Sequence, residues 1–308
     1  MLLAPKDFVR DPAAMAARPT VSEAHSYTRW LATHHYENFH VVSWLLPKRL
    51  HQDFYNIYSY CRWADDLGDE MSDTAESLRL LAWWRDELHA MYGGRATHPV
   101  FVALKDTVAR YAIPQQPFDD LIGAFVQDQT VTRYRNWDEL FGYCRGSANP
   151  VGRLVLYLCG YADTERQRLS DATCTALQLA NFWQDVSVDY EKGRIYLPLE
   201  DLRRFGIAEN DIAQKRNTSS FCEMMKFEVE RARDWFHQGI PLVGKVDREL
   251  AVDLDLFSRG GLEILSAIEK QNFAVLGNRP AISKTRKLAL VAHAAISKLF
   301  GRSGDASR

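Results

Sequence analysis

The chain has 308 residues, 46% of them hydrophobic and 25% charged, and 38 Lys and Arg against 40 Asp and Glu leave a formal charge of −2. That balance excludes a broadly basic nucleic-acid binder and an acidic tail protein. An aromatic content of 12% excludes a disordered chain.

Segments with apolar residues three and four apart dominate the chain, separated by Pro and Gly, and strand signals are sparse. The spacing predicts helices over Ser22–Leu46, with Ser22 as N-cap, then Asp53–Glu70 and Thr74–Tyr92, the last closed by Gly93 and Gly94. Further helices are expected over Pro99–Tyr111, Pro117–Thr130, Trp137–Gly160 with a kink or break near Pro150, Ser170–Tyr190, Ser219–Gly239, Asp247–Asn272 and Ile282–Phe300. No low-complexity linker or short repeat interrupts them, so the simplest reading is one all-α domain over residues 1–308, with a core from about 22 to 300.

Cys61, Cys144, Cys159, Cys174 and Cys222 are widely spaced, and no C-x-x-C occurs. This argues against a disulfide framework or zinc ribbon and for a reducing, cytoplasmic compartment. The N-terminus has no apolar run suited to a secretory signal. The longest uncharged run, Ala172–Gln184, has thirteen residues, whereas a membrane-spanning helix needs roughly 20. Neither G-x-G-x-x-G nor the phosphate-loop motif is present.

Two segments carry the chemistry. In Arg62-Trp-Ala-Asp65-Asp66-Leu-Gly-Asp69-Glu70, Asp65 and Asp69 are four apart and share one helix face. Alone, that pattern is as simply a solvated acidic helix end. In the second segment Gln178, Asn181, Asp185 and Asp189 follow at steps of three, four and four, again one stripe, on a helix otherwise rich in Leu, Ala, Phe and Trp. A polar stripe on such a helix is costly without a partner. Oxygen-only ligands suit Mg²⁺, which takes one or two carboxylates and completes its shell with phosphate and water. Two such helices facing each other would form an acidic cage for a phosphate-bearing ligand.

The two aspartate motifs, together with Tyr58-x-x-x-Arg62, Tyr143-Cys-Arg-Gly-Ser-Ala-Asn-Pro-Val-Gly152 and Lys192-Gly-Arg-Ile-Tyr-Leu-Pro198, resemble the squalene/phytoene synthase family from about His35 to the C-terminal helix. Within it, His35-Tyr-Glu-Asn-Phe39, Leu45-Leu-Pro47 and Asn181-Phe-Trp-Gln-Asp185-Val are most similar to bacterial hydroxysqualene synthases of hopanoid pathways. The resemblance implies the isoprenoid-synthase helical fold with a central active-site cavity and head-to-head prenyl chemistry on a prenyl diphosphate. It implies Mg²⁺ held by Asp65, Asp69, Asn181, Asp185 and Asp189, with Asp65, Asp185 and Tyr143 catalytic. His35, Tyr58, Arg62, Gln178, Gln184, Arg194 and Tyr196 stand at positions implied to bind substrate. Many relatives have Arg where this chain has Gln184, a change that fits an enzyme taking presqualene diphosphate rather than one joining two farnesyl diphosphates. The implied reaction is presqualene diphosphate plus water giving hydroxysqualene and diphosphate, with no nicotinamide. Functional coupling to a presqualene diphosphate synthase and a flavin-type desaturase follows from the same resemblance. The alternatives are squalene, presqualene diphosphate or phytoene synthesis, and, outside catalysis, a lipid-binding or assembly protein.

The stretch from Ser283 to Arg308 has six Lys and Arg against one Asp. It reads either as a last core helix with a basic tail or as a peripheral contact with the inner face of a membrane.

Overall fold

The structure, a computed structural model, describes residues 2–34 and 47–299. In chain order the helices are α1 (Pro5–Phe8), α2 (Pro12–Ala16), α3 (Val21–His34), α4 (His51–Asp69), α5 (Thr74–Tyr92), α6 (Pro99–Tyr111), α7 (Gln116–Asp128) and α8 (Trp137–Ser147). They continue as α9 (Asn149–Leu158), α10 (Thr164–Glu191), α11 (Leu199–Arg204), α12 (Glu209–Ala213), α13 (Ser219–Gly239), α14 (Arg248–Lys270) and α15 (Lys284–Leu299). Among the described residues there is no strand, and extended pairing is confined to an isolated bridge between Arg133 and Ile195. No helix among them is long and apolar enough to cross a membrane.

Several boundaries differ from the sequence reading for local reasons. The cap of α3 is Thr20, not Ser22: the Glu23 carboxylate accepts from the Thr20 backbone N–H at 2.8 Å, and the Thr20 hydroxyl accepts from the Glu23 N–H at 3.3 Å. This reciprocal capping box places Ser22 inside the helix. The C-terminal part of the helix expected to run to Leu46, with His35, lies outside the described residues. α10 begins at Thr164 rather than Ser170, because the Asp163 side chain accepts from the Arg166 N–H at 3.0 Å. Its first turn, Thr-Glu-Arg-Gln-Arg, has no apolar rhythm to betray it. The break near Pro150 is present: α8 stops at Ser147, and α9 starts at Asn149 with Pro150 in its first turn, where the missing N–H costs no helical bond. The shortest helices, α1, α2, α11 and α12, are too brief for a 3.6-residue period to register.

The chain divides into two compact units, Met1–Thr130 with Pro150–Ala162, and Val131–Asn149 with Asp163–Arg308. In the first, α4 packs against α3, α5, α6 and α7. Ile57, Tyr60, Trp63, Ala64 and Leu67 form its inner face. The Trp63 and Trp84 rings stack at 4.9 Å and 9°, and the Trp63 indole donates to the Tyr27 hydroxyl at 3.1 Å. His98 caps α6 through Nδ1, which accepts from the Val100 N–H at 3.3 Å. Its ring stands edge-on to Trp63 at 4.4 Å and to Trp84 at 5.0 Å.

Burial pushes the His98 imidazole down to about 3, so the folded state refuses a proton that the unfolded chain binds below roughly 6.5. The stability this contributes is complete above that value and is lost as pH falls toward 3, at up to about 1.4 kcal/mol per pH unit. His98→Asn keeps a capping side chain. The difference in unfolding free energy between wild type and this variant is expected to shrink steadily from pH 6.5 to 4.5 by about that slope. A pH-independent difference would contradict a neutral, buried imidazole.

In the second unit α10 is the central helix, packed against α8, α13 and α14. Leu169, Ala172, Ala176, Leu179, Ala180, Phe182, Trp183 and Val186 are buried along it. The Trp183 indole donates to the Glu228 carbonyl of α13 at 3.1 Å. Nearby, the Arg231 guanidinium lies 4.4 Å from the Trp137 ring centroid and 4.5 Å from that of Phe227, bonded to Asp201 and Glu228 at 3.0 Å each. Two buried carboxylates against one cation leave Glu228 crowded, and its pKa is driven well above the ordinary carboxyl value, mainly by burial. Gly261 of α14 permits close helix contact, since a Cβ there would meet the Phe236 ring at 2.2 Å.

Candidate active site

On α4 the stripe runs Tyr58, Arg62, Asp65, Asp69, opposite the apolar face that carries Trp63 and Leu67. Asp69 is exposed at the helix end and Asp65 is half-buried. Arg62 pairs with Asp65 at 3.3 Å, with Asp66, and with Glu70 at 3.4 Å, so one guanidinium balances the acidic end of its own helix. Burial raises the Asp65 carboxyl above its ordinary value; Arg62 opposes this and Asp69 adds to it. Asp66, fully enclosed, is pushed up to about 7 by burial despite its pairing with Arg62. Burial likewise raises the half-buried Tyr58 phenol.

On α10 the stripe is Gln178, Asn181, Asp185, Asp189. Asn181 donates its amide to Asp185 Oδ2 at 3.0 Å. Burial and the neighbouring charge of Asp185 push the Asp189 carboxyl up to about 6, against the lowering effects of Lys192, Arg194 and Arg279. The helix then turns sharply. Gly193, at φ +79°, takes the left-handed conformation that closes it, and the Asp189 carbonyl accepts from the N–H of Lys192 at 3.1 Å and of Arg194 at 2.8 Å. That turn brings the Arg194–Tyr196 segment back along residues 132–135: Ile195 N–H donates to the Thr132 carbonyl at 2.9 Å, and Leu199 N–H to that of Tyr134 at 2.9 Å.

The result is an aromatic cluster beside the second stripe. Tyr196 stacks on Phe182 at 3.8 Å and 8°, and on Tyr134 at 5.8 Å and 22°. Tyr143 of α8 lies 5.9 Å from Tyr196 and 5.5 Å from Tyr134. Tyr143 and Tyr196 therefore meet in one cluster. Tyr134 was not legible as a site residue, since it sits in an irregular segment whose place is set only by pairing with the turn after α10.

Gln184 is buried and faces the loop that follows α14. Its amide donates to the Pro280 carbonyl at 2.6 Å, and its oxygen accepts from Arg279 at 3.2 Å. Arg279, the second residue that the sequence did not single out, also pairs with Asp185. Cys61 and Cys144, flanking motif residues, are free thiols whose pKa burial raises to about 12, as befits packed rather than reactive groups.

No group of three His, Cys, Asp or Glu side chains close enough to hold a metal ion occurs among the described residues. Each stripe offers two carboxylates, with an amide added on α10. An oxygen-only donor set with sparse carboxylates fits Mg²⁺, which uses one or two protein carboxylates together with substrate phosphate oxygens. The upward shift of Asp189, caused by burial first and by the charge of Asp185 second, is the kind that a bound cation would oppose.

The helical arrangement matches solved structures of one fold. Squalene synthase HpnC from Alicyclobacillus acidocaldarius aligns at a TM-score of 0.79 and 43% identity, over 82% of this chain and 95% of that one. A dehydrosqualene synthase aligns at a TM-score of 0.79 over 95% of this chain and 100% of that one; at 24% identity it speaks for the fold alone. The fold is thus the all-α isoprenoid-synthase fold. Residues 32–286 match the squalene/phytoene synthase family, and the chain belongs to it. Similar curated proteins are the 15-cis-phytoene synthase of Synechocystis sp., 31% identical over 89% of this chain and 85% of that protein, and the phytoene synthase of Arthrospira platensis, 29% identical over 89% and 93%.

Proposed function

We propose that this enzyme converts presqualene diphosphate and water to hydroxysqualene and diphosphate. The 43% identity to a bacterial squalene synthase, above the 29–31% shared with phytoene synthases, supports a squalene-type head-to-head reaction, and the observation that carries the hydroxysqualene reading within it is the Asn181-Phe-Trp-Gln-Asp185 signature on α10. Phytoene, squalene or presqualene diphosphate synthesis is the second reading, favoured by the near-complete coverage of the phytoene synthases.

In this reading Asp65, Asp69, Asn181, Asp185 and Asp189 hold Mg²⁺. The metal supplies charge neutralisation for the departing diphosphate. Tyr58, Arg62, Arg194 and Tyr196 donate to the diphosphate oxygens, and His35 joins them. The C–O bond breaks with its electron pair leaving on diphosphate. The faces of Phe182, Tyr196 and Tyr143 stabilise the positive charge of the rearranging hydrocarbon. Water adds through oxygen to the rearranged cation and gives up a proton. Bulk water must be excluded until then, since it would quench earlier cations. Contact with the inner face of a membrane through the basic C-terminal stretch would deliver so apolar a substrate.

Incubation with presqualene diphosphate and Mg²⁺ in ¹⁸O-water is expected to place label in the triterpene alcohol, with or without NADPH. Squalene formed only with NADPH, or efficient product from farnesyl diphosphate alone, would move the enzyme to the second reading.

A further inference from the structure

Arg279 has an unusual seat. The loop that carries it is fixed by three side chains of the second unit. Asn217 donates to the Leu276 carbonyl at 2.8 Å and accepts from the Leu276 N–H at 3.0 Å. The Gly277 N–H donates to the Ser187 hydroxyl at 3.2 Å, and the Gln184 amide donates to the Pro280 carbonyl at 2.6 Å. Leu276 and Pro280 are buried, while the Arg279 side chain is 52% exposed. A loop tied at Leu276, Gly277 and Pro280 thus presents a half-exposed guanidinium, which also donates to the Gln184 oxygen at 3.2 Å. The guanidinium takes both carboxylate oxygens of Asp185, Oδ1 through Nε and Oδ2 through Nη2 at 2.9 Å.

Those two oxygens are what Asp185 has to offer a divalent cation, so guanidinium and cation compete for one carboxylate. They also repel each other. A cation bound alone must displace Arg279 and leave its charge facing like charge. A diphosphate arriving with the cation removes the conflict, because the guanidinium can move from carboxylate to phosphate oxygens, which suit its planar fork equally well. We infer that Arg279 is a latch on Asp185 that makes binding of a divalent cation and of diphosphate at the α10 stripe mutually dependent, so that neither settles there well without the other. Such linkage is reciprocal by thermodynamic necessity. It would keep the site from collecting metal without substrate. The inference rests on the reading that this stripe receives a metal-bound diphosphate.

The test uses the full-length protein, with Mn²⁺ as the metal probe, read by electron paramagnetic resonance, and inorganic diphosphate as the second ligand. The site counted is the one that Asp185→Asn abolishes. Arg279→Ala is expected to bind Mn²⁺ alone about tenfold more tightly than wild type, and to bind diphosphate at saturating metal about tenfold more weakly. Arg279→Lys, which keeps the charge without the fork, is expected to fall between. A purely structural ion pair would move both affinities in the same direction, or neither, and either result overturns the latch. If neither wild type nor Arg279→Ala binds metal in an Asp185-dependent way, even with diphosphate, the diphosphate reading of the stripe falls and the latch with it.

Discussion

Asp185→Asn is expected to lower turnover roughly a thousandfold, about 4 kcal/mol in the barrier, while leaving the helical fold intact. The substitution preserves shape but removes the carboxylate charge that pairs with Arg279 and that the proposed metal ion would use. It also removes the like charge that adds to burial in raising Asp189. Relief of like charges four apart on the helix and loss of the Arg279 pair act in opposite directions, so stability is expected to change by no more than about 1 kcal/mol. Turnover with a saturating prenyl diphosphate, alongside circular dichroism and a denaturant titration, separates the two effects. Wild-type turnover in a folded variant would show that Asp185 is not a metal ligand.

Trp63→Ala is expected to cost about 3–5 kcal/mol of stability, the range for large aromatic truncations in a packed core. Trp63 is fully buried, stacks on Trp84 at 4.9 Å, meets Phe8 edge-on at 5.3 Å and donates to Tyr27. Its loss empties the centre of the first unit and leaves the capping ring of His98 without its nearest neighbour, 4.4 Å away. A denaturant midpoint shows the effect directly. A shift worth less than about 1 kcal/mol would mean that the core closes over the gap, contrary to the dense aromatic packing.

The long helices were legible because each carries an apolar stripe of more than two turns, and α5, α6 and α13 begin and end where their residues foretold. The two aspartate stripes were legible for the same reason: steps of three and four place side chains on one face whatever the tertiary context. Features made by contacts between distant segments were not. Arg279 stands 94 residues from Asp185, in a short Asn-Arg-Pro loop with no periodicity, and only the packing of that loop on α10 unites them. Tyr134 meets Tyr196 through backbone pairing across more than sixty residues. Gln184 looked like a replaced phosphate ligand, but its amide is engaged by the C-terminal loop, an occupation no local pattern announces.

Diphosphate release from presqualene diphosphate by metal-stripped protein tests most directly whether the two stripes act as a magnesium-dependent ionising site. Release is expected to vanish in excess chelator and to return in full when Mg²⁺ is restored. Undiminished release with chelator present would contradict the assignment of Asp65, Asp69, Asn181, Asp185 and Asp189 as ligands.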